Sequence, residues 1–183
     1  MKPAVILIDL EREFVKNGRL LENKDDLVSC INELTEFARS KNYPVIWVTQ
    51  EFEKDLSDAP IGSRKPGLMI PIKDTQGSKL LEGLVVNDGD LHIIKKRYSA
   101  FFKTDLDKIL EGLPVDSLIM AGINTHACVR TSVIDAYQRD YPVTIALDCT
   151  DSYDEEHHDI SIKYLTRNIS EGKTNQEIFD EFS

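Results

Sequence analysis

A cysteine, an aspartate and a lysine stand where this sequence passes from short apolar runs into polar segments, and each type suits acyl transfer. Cys128 lies in Gly122-Ile123-Asn124-Thr125-His126-Ala127-Cys128-Val129, a few residues past the run Ser117–Ala121 and at the start of a helix predicted over Cys128–Arg139. A helix N-terminus leaves N–H groups unpaired and carries partial positive charge, which favours thiolate over thiol. A thiolate attacks carbonyls and holds the acyl group as a thioester. The bland alternative is a small buried hydrophobe, the usual role of a free cysteine, and Cys30 and Cys149 read that way. Asp9 ends the run Ala4–Ile8, where a carboxylate is either a base in a half-buried cleft or a cap for the next turn. Lys95, Lys96 and Arg97 follow Leu91–Ile94. They read as a solvated basic run, or as one that sends a cation inward to stabilise a thiolate or a developing oxyanion. His126 is an alternative general base for Cys128.

Elements that would position these groups can be read from the periodicity. Ala4–Ile8, Val45–Thr49, Leu91–Ile94, Ser117–Ala121 and Val143–Leu147 are short and rich in β-branched residues, as buried strands are. Lys24–Ser40 spaces Leu27, Ile31, Leu34 and Phe37 at three to four residues, the stripe of an amphipathic helix. Further helices are expected over Thr104–Leu110, with Thr104 as N-cap, and over Glu155–Arg167. Glu51–Ile72 holds three prolines and two glycines without a clean period and reads as a long surface loop of the kind that covers a site. The last dozen residues give no clear pattern. Alternating strands and helices imply an α/β domain, a parallel sheet covered on both faces, with ligands bound beyond the carboxyl ends of its strands. Asp9, Gln50, Lys95, the Gly122–Cys128 segment and Asp148 all fall there.

Composition narrows the classes. The 183 residues fit a single domain, 1–183, and their hydrophobic and charged fractions, 41% and 30%, are those of a globular protein. A formal charge of −10 argues against nucleic acid or an anionic membrane as partner. No apolar run is long enough for a membrane helix and the start does not read as a signal peptide, so a cytoplasmic location is expected. Three scattered cysteines without a CxxC pair speak against disulfides or zinc. Neither a GxGxxG nor a GxxxxGK[ST] signature is present, so the sheet carries no nucleotide-binding motif.

Three segments resemble one family, the isochorismatase-like cysteine hydrolases, which include nicotinamidases, carbamoylsarcosine-type amidohydrolases and isochorismatases. Ile8-Asp9-Leu10-Glu11-Arg12-Glu13-Phe14 is similar to the family's Asp-x-Gln-x-x-Phe. Lys95-Lys96-Arg97-Tyr98-Ser99-Ala100-Phe101 is similar to Lys-x-x-Tyr-Ser-Ala-Phe, and the Cys128 segment to Gly-Val-x-Thr-x-x-Cys-Val. The resemblance spans nearly the whole chain. It implies a three-layer α/β/α fold with an open, mostly parallel six-stranded sheet, and assembly as a homo-oligomer, a dimer or tetramer. It also implies a catalytic triad of Asp9, Lys95 and Cys128, Lys95 rather than Lys96 because it stands four residues before Ser99. A cis peptide is implied at Ile123–Asn124, aiming the N–H groups of Asn124 and Cys128 at one point as an oxyanion hole.

Departures from the family pattern shape the functional expectation. Glu11 stands where the family has glutamine; turned inward, it would raise the pKa of Asp9. Thr49-Gln50-Glu51-Phe52 lacks the Asp-x-His pair with which nicotinamidases hold a metal, so neither metal nor other cofactor is expected. Isochorismatases carry glycine where Cys128 stands, so the cysteine favours the amidohydrolase branch. The expected activity is cysteine-dependent hydrolysis of a small amide, ureide or carbamoyl C–N bond. Alternatives are vinyl-ether hydrolysis of an isochorismate-like acid and a non-catalytic binding protein on the same fold. Phe14, Gln50, Arg97, Phe101, Ile123 and His126 are the expected substrate-binding residues, with Arg64, Asn124 and Tyr153 as further polar candidates. Trp47 and Phe14 also suit core packing.

Overall fold

Six runs of the chain pair into one sheet; the four inner ones are apolar enough to be largely buried, whereas the two at its edges are partly exposed. The structure, a computed structural model, describes residues 1–65 and 68–183; Pro66 and Gly67 of the predicted 51–72 loop lie outside the described residues. The strands are β1 (Pro3–Ile8), β2 (Val45–Gln50), β3 (Leu91–Lys95), β4 (Ser117–Gly122), β5 (Val143–Thr150) and β6 (Glu171–Lys173). All pairings are parallel, in the order β3-β2-β1-β4-β5-β6. Helices α1 (Gly18–Glu22), α2 (Lys24–Ser40), α3 (Leu106–Glu111), α4 (Arg130–Tyr137), α5 (Glu155–Asn168) and α6 (Asn175–Glu181) complete the three-layer α/β/α architecture. None of the described helices is long and apolar enough to cross a membrane.

Alternation along the strands feeds two cores. Val5, Leu7, Val45, Trp47, Ile119 and Ala121 pack on one face with Leu27, Ile31 and Leu34 of α2 and Ile178 of α6. Ala4, Ile6, Ile8, Ile46, Val48, Leu118 and Met120 face the other way, onto Leu106 of α3, Val133 of α4 and Leu165 of α5. Burying both faces removes polar positions from β1 and β4, where all six residues of each strand are buried.

Helix α2 has the bounds its periodicity predicts, whereas three other stretches differ. The helix expected over Cys128–Arg139 divides into a π-type turn, Thr125–Val129, and then α4. Cys128 therefore sits inside the turn rather than at an α-helix N-terminus. The turn is tied to distant residues: Thr125 N and Oγ1 both donate to Asp151 O, at 3.0 and 2.9 Å, and Thr125 Oγ1 meets His158 Nδ1 at 2.8 Å. Helix α3 begins at Leu106, with Asp105 at the cap position. Thr104 Oγ1 still accepts from Leu106 N at 3.3 Å, so its hydroxyl serves the first turn from one residue further out. The C-terminal dozen forms β6 and α6, the latter opened by a capping box between Thr174 and Glu177.

The order of strands fixes where a ligand can go. From β1 the sheet extends to β2 and β3 on one side and to β4, β5 and β6 on the other. The crevice beyond the ends of β1 and β4 is the topological switch point, where neighbouring connections diverge and leave a cleft.

Candidate active site

That crevice is formed by the close approach of β4 to the end of β1. Gly122, at φ +116°, allows it: a Cβ there would lie 2.1 Å from Ile8 O. Ile123 N then donates to Ile8 O at 2.9 Å, and the next peptide, Ile123–Asn124, is cis. On the β1 side, Asp9 takes a left-handed φ of 54°, which aspartate tolerates better than most residues. Its N–H stays on the sheet, bonded to Val48 O at 2.9 Å. Lys95, the last residue of β3, reaches across the end of β2, which places its ammonium in the same crevice as groups two strands away.

These local devices bring Asp9, Lys95 and Cys128 together. Lys95 Nζ lies 2.7 Å from Asp9 Oδ2 and 3.1 Å from Arg97 O, and both partners of the pair are fully buried. Lys96 turns away, to Asp58 at 2.7 Å and to Glu51 O at 2.5 Å. Asp9 Oδ1 is buried without a hydrogen-bond partner among the described residues. The backbone N–H of Asn124, just before the turn that carries the thiol, likewise donates to no described residue. Ser132 fastens that turn: its Oγ donates to Cys128 O at 2.7 Å and accepts from Ala100 N at 2.9 Å.

Burial dominates the electrostatics. It pushes the Asp9 carboxyl above the ordinary aspartate range, with the Lys95 ammonium pulling the other way. Burial disfavours the charged form of Lys95 too, but the facing charge of Asp9 outweighs it and holds the ammonium protonated above its usual range. Cys128 is pushed well above the usual thiol range, first by burial and then by the negative charge of Asp9, against which Lys95 acts. This direction opposes the shift toward thiolate expected of a helix N-terminus, and Lys95 does not offset burial and Asp9. Glu11 faces inward, yet it is not among the causes that shift Asp9; the effect falls on Glu11 itself. Burial and then the charge of Asp9 push its carboxyl well above the usual range.

A cavity of about 550 Å³ opens over this group and is lined by Asp9, Asn124 and Cys128. Phe14, Gln50 and His126 line it as expected, and so does Tyr153. Other expected groups stand elsewhere. Phe101 is buried in the core beneath, with the Arg139 guanidinium stacked 4.5 Å from its ring centroid. Ile123 is buried in the opposite core, because the backbone after Gly122 turns its side chain toward α2. Arg97 donates to Asp58 O at 3.0 Å and to Lys96 O at 2.6 Å, and lines a neighbouring hollow with Phe102 and Asp135. Arg64 is spent on Ala59 O and Ser57 O. Trp47 is a core residue whose Nε1 donates to Asp90 Oδ2 at 2.8 Å.

Residues 52–70 supply the lining that sequence reasoning left unassigned. Phe52, Pro60, Ser63, Leu68, Met69 and Ile70 close one side of the cavity, joined by Tyr98, Arg130, Thr131 and Ile134. Leu68-Met69-Ile70, an apolar triplet inside a proline- and glycine-containing loop, was the available signal. His126 is held at its Nδ1 by Ser152 Oγ, 2.6 Å away, with Tyr153 edge-on to its ring. Burial and the nearby His157 keep the imidazole below its usual pKa, hence neutral. Among the described residues no three His, Cys, Asp or Glu side chains converge as a metal site would require.

Known proteins share the family and the fold. Residues 3–177 match the isochorismatase domain. An Arabidopsis thaliana protein named a probable inactive nicotinamidase is 34% identical over 87% of this chain and 85% of its own length. Among solved structures, a cysteine hydrolase from Pseudomonas syringae superposes with a TM-score of 0.89 at 25% identity, covering 99% of this chain and 92% of its own. N-carbamoylsarcosine amidase from Thermoplasma acidophilum does so with a TM-score of 0.78 at 27% identity, covering 96% and 97%.

Proposed function

Since the chain belongs to the isochorismatase-domain family of hydrolases, we propose that it hydrolyses a small amide, ureide or carbamoyl C–N bond with Cys128 as nucleophile. The observation that carries this reading is one cavity wall shared by the Cys128 thiol and Asp9, whose carboxyl is paired with the buried Lys95. Asp9 takes the thiol proton as the sulfur attacks the substrate carbonyl. Charge then moves from carboxylate to substrate oxygen, where the N–H groups of Asn124 and Cys128 receive it. Asp9 passes its proton to the leaving nitrogen as the tetrahedral adduct collapses to a thioester. It next takes a proton from water, whose oxygen attacks the thioester carbonyl; the acid leaves and the thiol is restored. Lys95 gives up no proton in this scheme; facing the Asp9 carboxylate its pKa is raised, and it holds that negative charge in place.

His126 is not the base in this scheme. Its Nδ1 is occupied by Ser152, and burial, Asp9 and Lys95 rather than His126 set the protonation of the thiol. The cavity is of small-molecule size, with Phe14, Phe52, Met69 and Tyr98 suiting an apolar substrate body and Gln50 and Asn124 its polar groups. The relative named an inactive nicotinamidase suits a chain with Gln50-Glu51-Phe52 in place of the nicotinamidase Asp-x-His, so nicotinamide is not the proposed substrate. The test is a panel of small amides, ureides and carbamoyl compounds scored for released ammonia, amine or acid. At least one compound turns over with wild type and fails with Cys128→Ala. Equal turnover by Cys128→Ala would remove the thiol from the mechanism.

A further inference from the structure

Glu11 is a fully buried ionisable group beside the site that the mechanism above leaves without a task. Asp9, Glu11 and Lys95 are each at most 1% exposed, so the crevice holds two carboxyl groups against one ammonium. Taking an unpaired carboxylate out of water costs several kcal/mol, and Lys95 is already committed to Asp9 at 2.7 Å. The hydrogen bonds tell the two oxygens of Glu11 apart. Oε1 accepts the backbone N–H of Gln50, whereas Oε2 is buried with no partner among the described residues. Asp9 Oδ1 is in the same condition. One unpartnered oxygen could carry a proton and the other could accept one. Each carboxylate oxygen has two lone pairs, so receiving a bond from Glu11 leaves Asp9 Oδ1 a site for the thiol proton.

We propose that Glu11 is a positioning residue that stays a neutral carboxylic acid while the enzyme works, its proton on Oε2 donated to Asp9 directly or across one water. In this form it does what an amide side chain at that position would do, accepting from a backbone N–H with one atom and donating with the other. The groups facing it are Asp9 from the end of β1, Lys95 from β3 and the Gln50 N–H from β2. Its own backbone is paired outward, in an antiparallel bridge to Leu80. Burial and the charge of Asp9 both hold the proton on. Ionisation of Glu11 would place a second negative charge beside Asp9, and make both the thiolate and the oxyanion harder to form.

The catalytic part of this inference rests on the proposed function; the protonation itself does not, and it is tested without substrate. Infrared spectra of wild type at neutral pH should show a buried carboxylic-acid carbonyl band that shifts on 13C-glutamate labelling and is absent from Glu11→Gln. A folded-state pKa above the ordinary 4.5 means that wild type loses stability relative to a non-titrating residue as pH rises past that value. The thermal midpoint of Glu11→Gln should therefore exceed that of wild type by a margin that widens with pH, up to the folded-state pKa. With a substrate from the panel, Glu11→Ala should lower kcat at neutral pH by about tenfold or more, the loss of a hydrogen bond to a charged group. Glu11→Gln should restore it and move the alkaline limb of the pH profile upward. A missing band in labelled wild type, a margin independent of pH, or a Gln variant as impaired as the Ala variant would overturn the proposal.

Discussion

Cys128 and Cys149 are both buried thiols near the carboxyl ends of central strands, and burial is the first cause raising the pKa of each. What surrounds them differs. Cys149 lies in the core with residues of α2 and α6, its Sγ donating to Asn175 Oδ1 at 3.3 Å, and no cation is among the charges that act on it. Cys128 lines a cavity and faces Asp9 and Lys95. Desolvation alone makes a thiol inert, and only a neighbouring acceptor that can take the proton during attack makes it useful. The charged pair, rather than the cysteine itself, therefore separates the proposed nucleophile from a core residue.

Removing one half of that pair tests the contrast most severely. Lys95→Met should leave the Asp9 charge buried and unpaired and lower unfolding stability by about 3–5 kcal/mol, read from denaturant titration. It should also slow turnover, since Asp9 then tends to hold a proton instead of accepting one. A loss below about 0.5 kcal/mol, the range of ordinary surface changes, would mean that the pair is not desolvated. Cys149→Ala should produce the smaller effect, about 1 kcal/mol from a lost core side chain and one weak hydrogen bond, with kcat unchanged. A drop in kcat without a change in stability would give Cys149 a role that the comparison denies it.

The same contrast shows what the sequence could carry. Strands β1, β2 and β4 were legible because burial on both faces leaves nearly unbroken apolar runs, and strand-end position drew attention to Asp9, Lys95 and Cys128. β6 was not legible: Glu171-Gly172-Lys173 is three residues long, polar, and at the edge of the sheet, where pairing with β5 supplies what propensity does not. The π-type turn at Cys128 depends on Asp151 and His158, partners more than twenty positions away. Phe101 and Ile123 were placed in the site because they flank catalytic-looking motifs, yet the backbone at each turns the side chain into a core. The upward pKa shift at Cys128 and Glu11 was the least legible feature. It follows from burial produced by the whole fold, and the local helix-terminus argument pointed the other way.

The central claim, that Cys128 forms an acyl-enzyme with Asp9 as the proton carrier, is most directly tested by acid quench of single turnovers with a substrate from the panel, followed by peptide mass mapping. The account predicts a transient mass increase equal to the acyl group on the peptide carrying Cys128 and none on those carrying Cys30 or Cys149. The rate of its appearance should fall as pH is lowered through a value above the ordinary aspartate 3.8, where Asp9 gains its proton. Turnover that proceeds with no adduct on Cys128 while Cys128→Ala remains active, or an adduct on Cys149 instead, would contradict it.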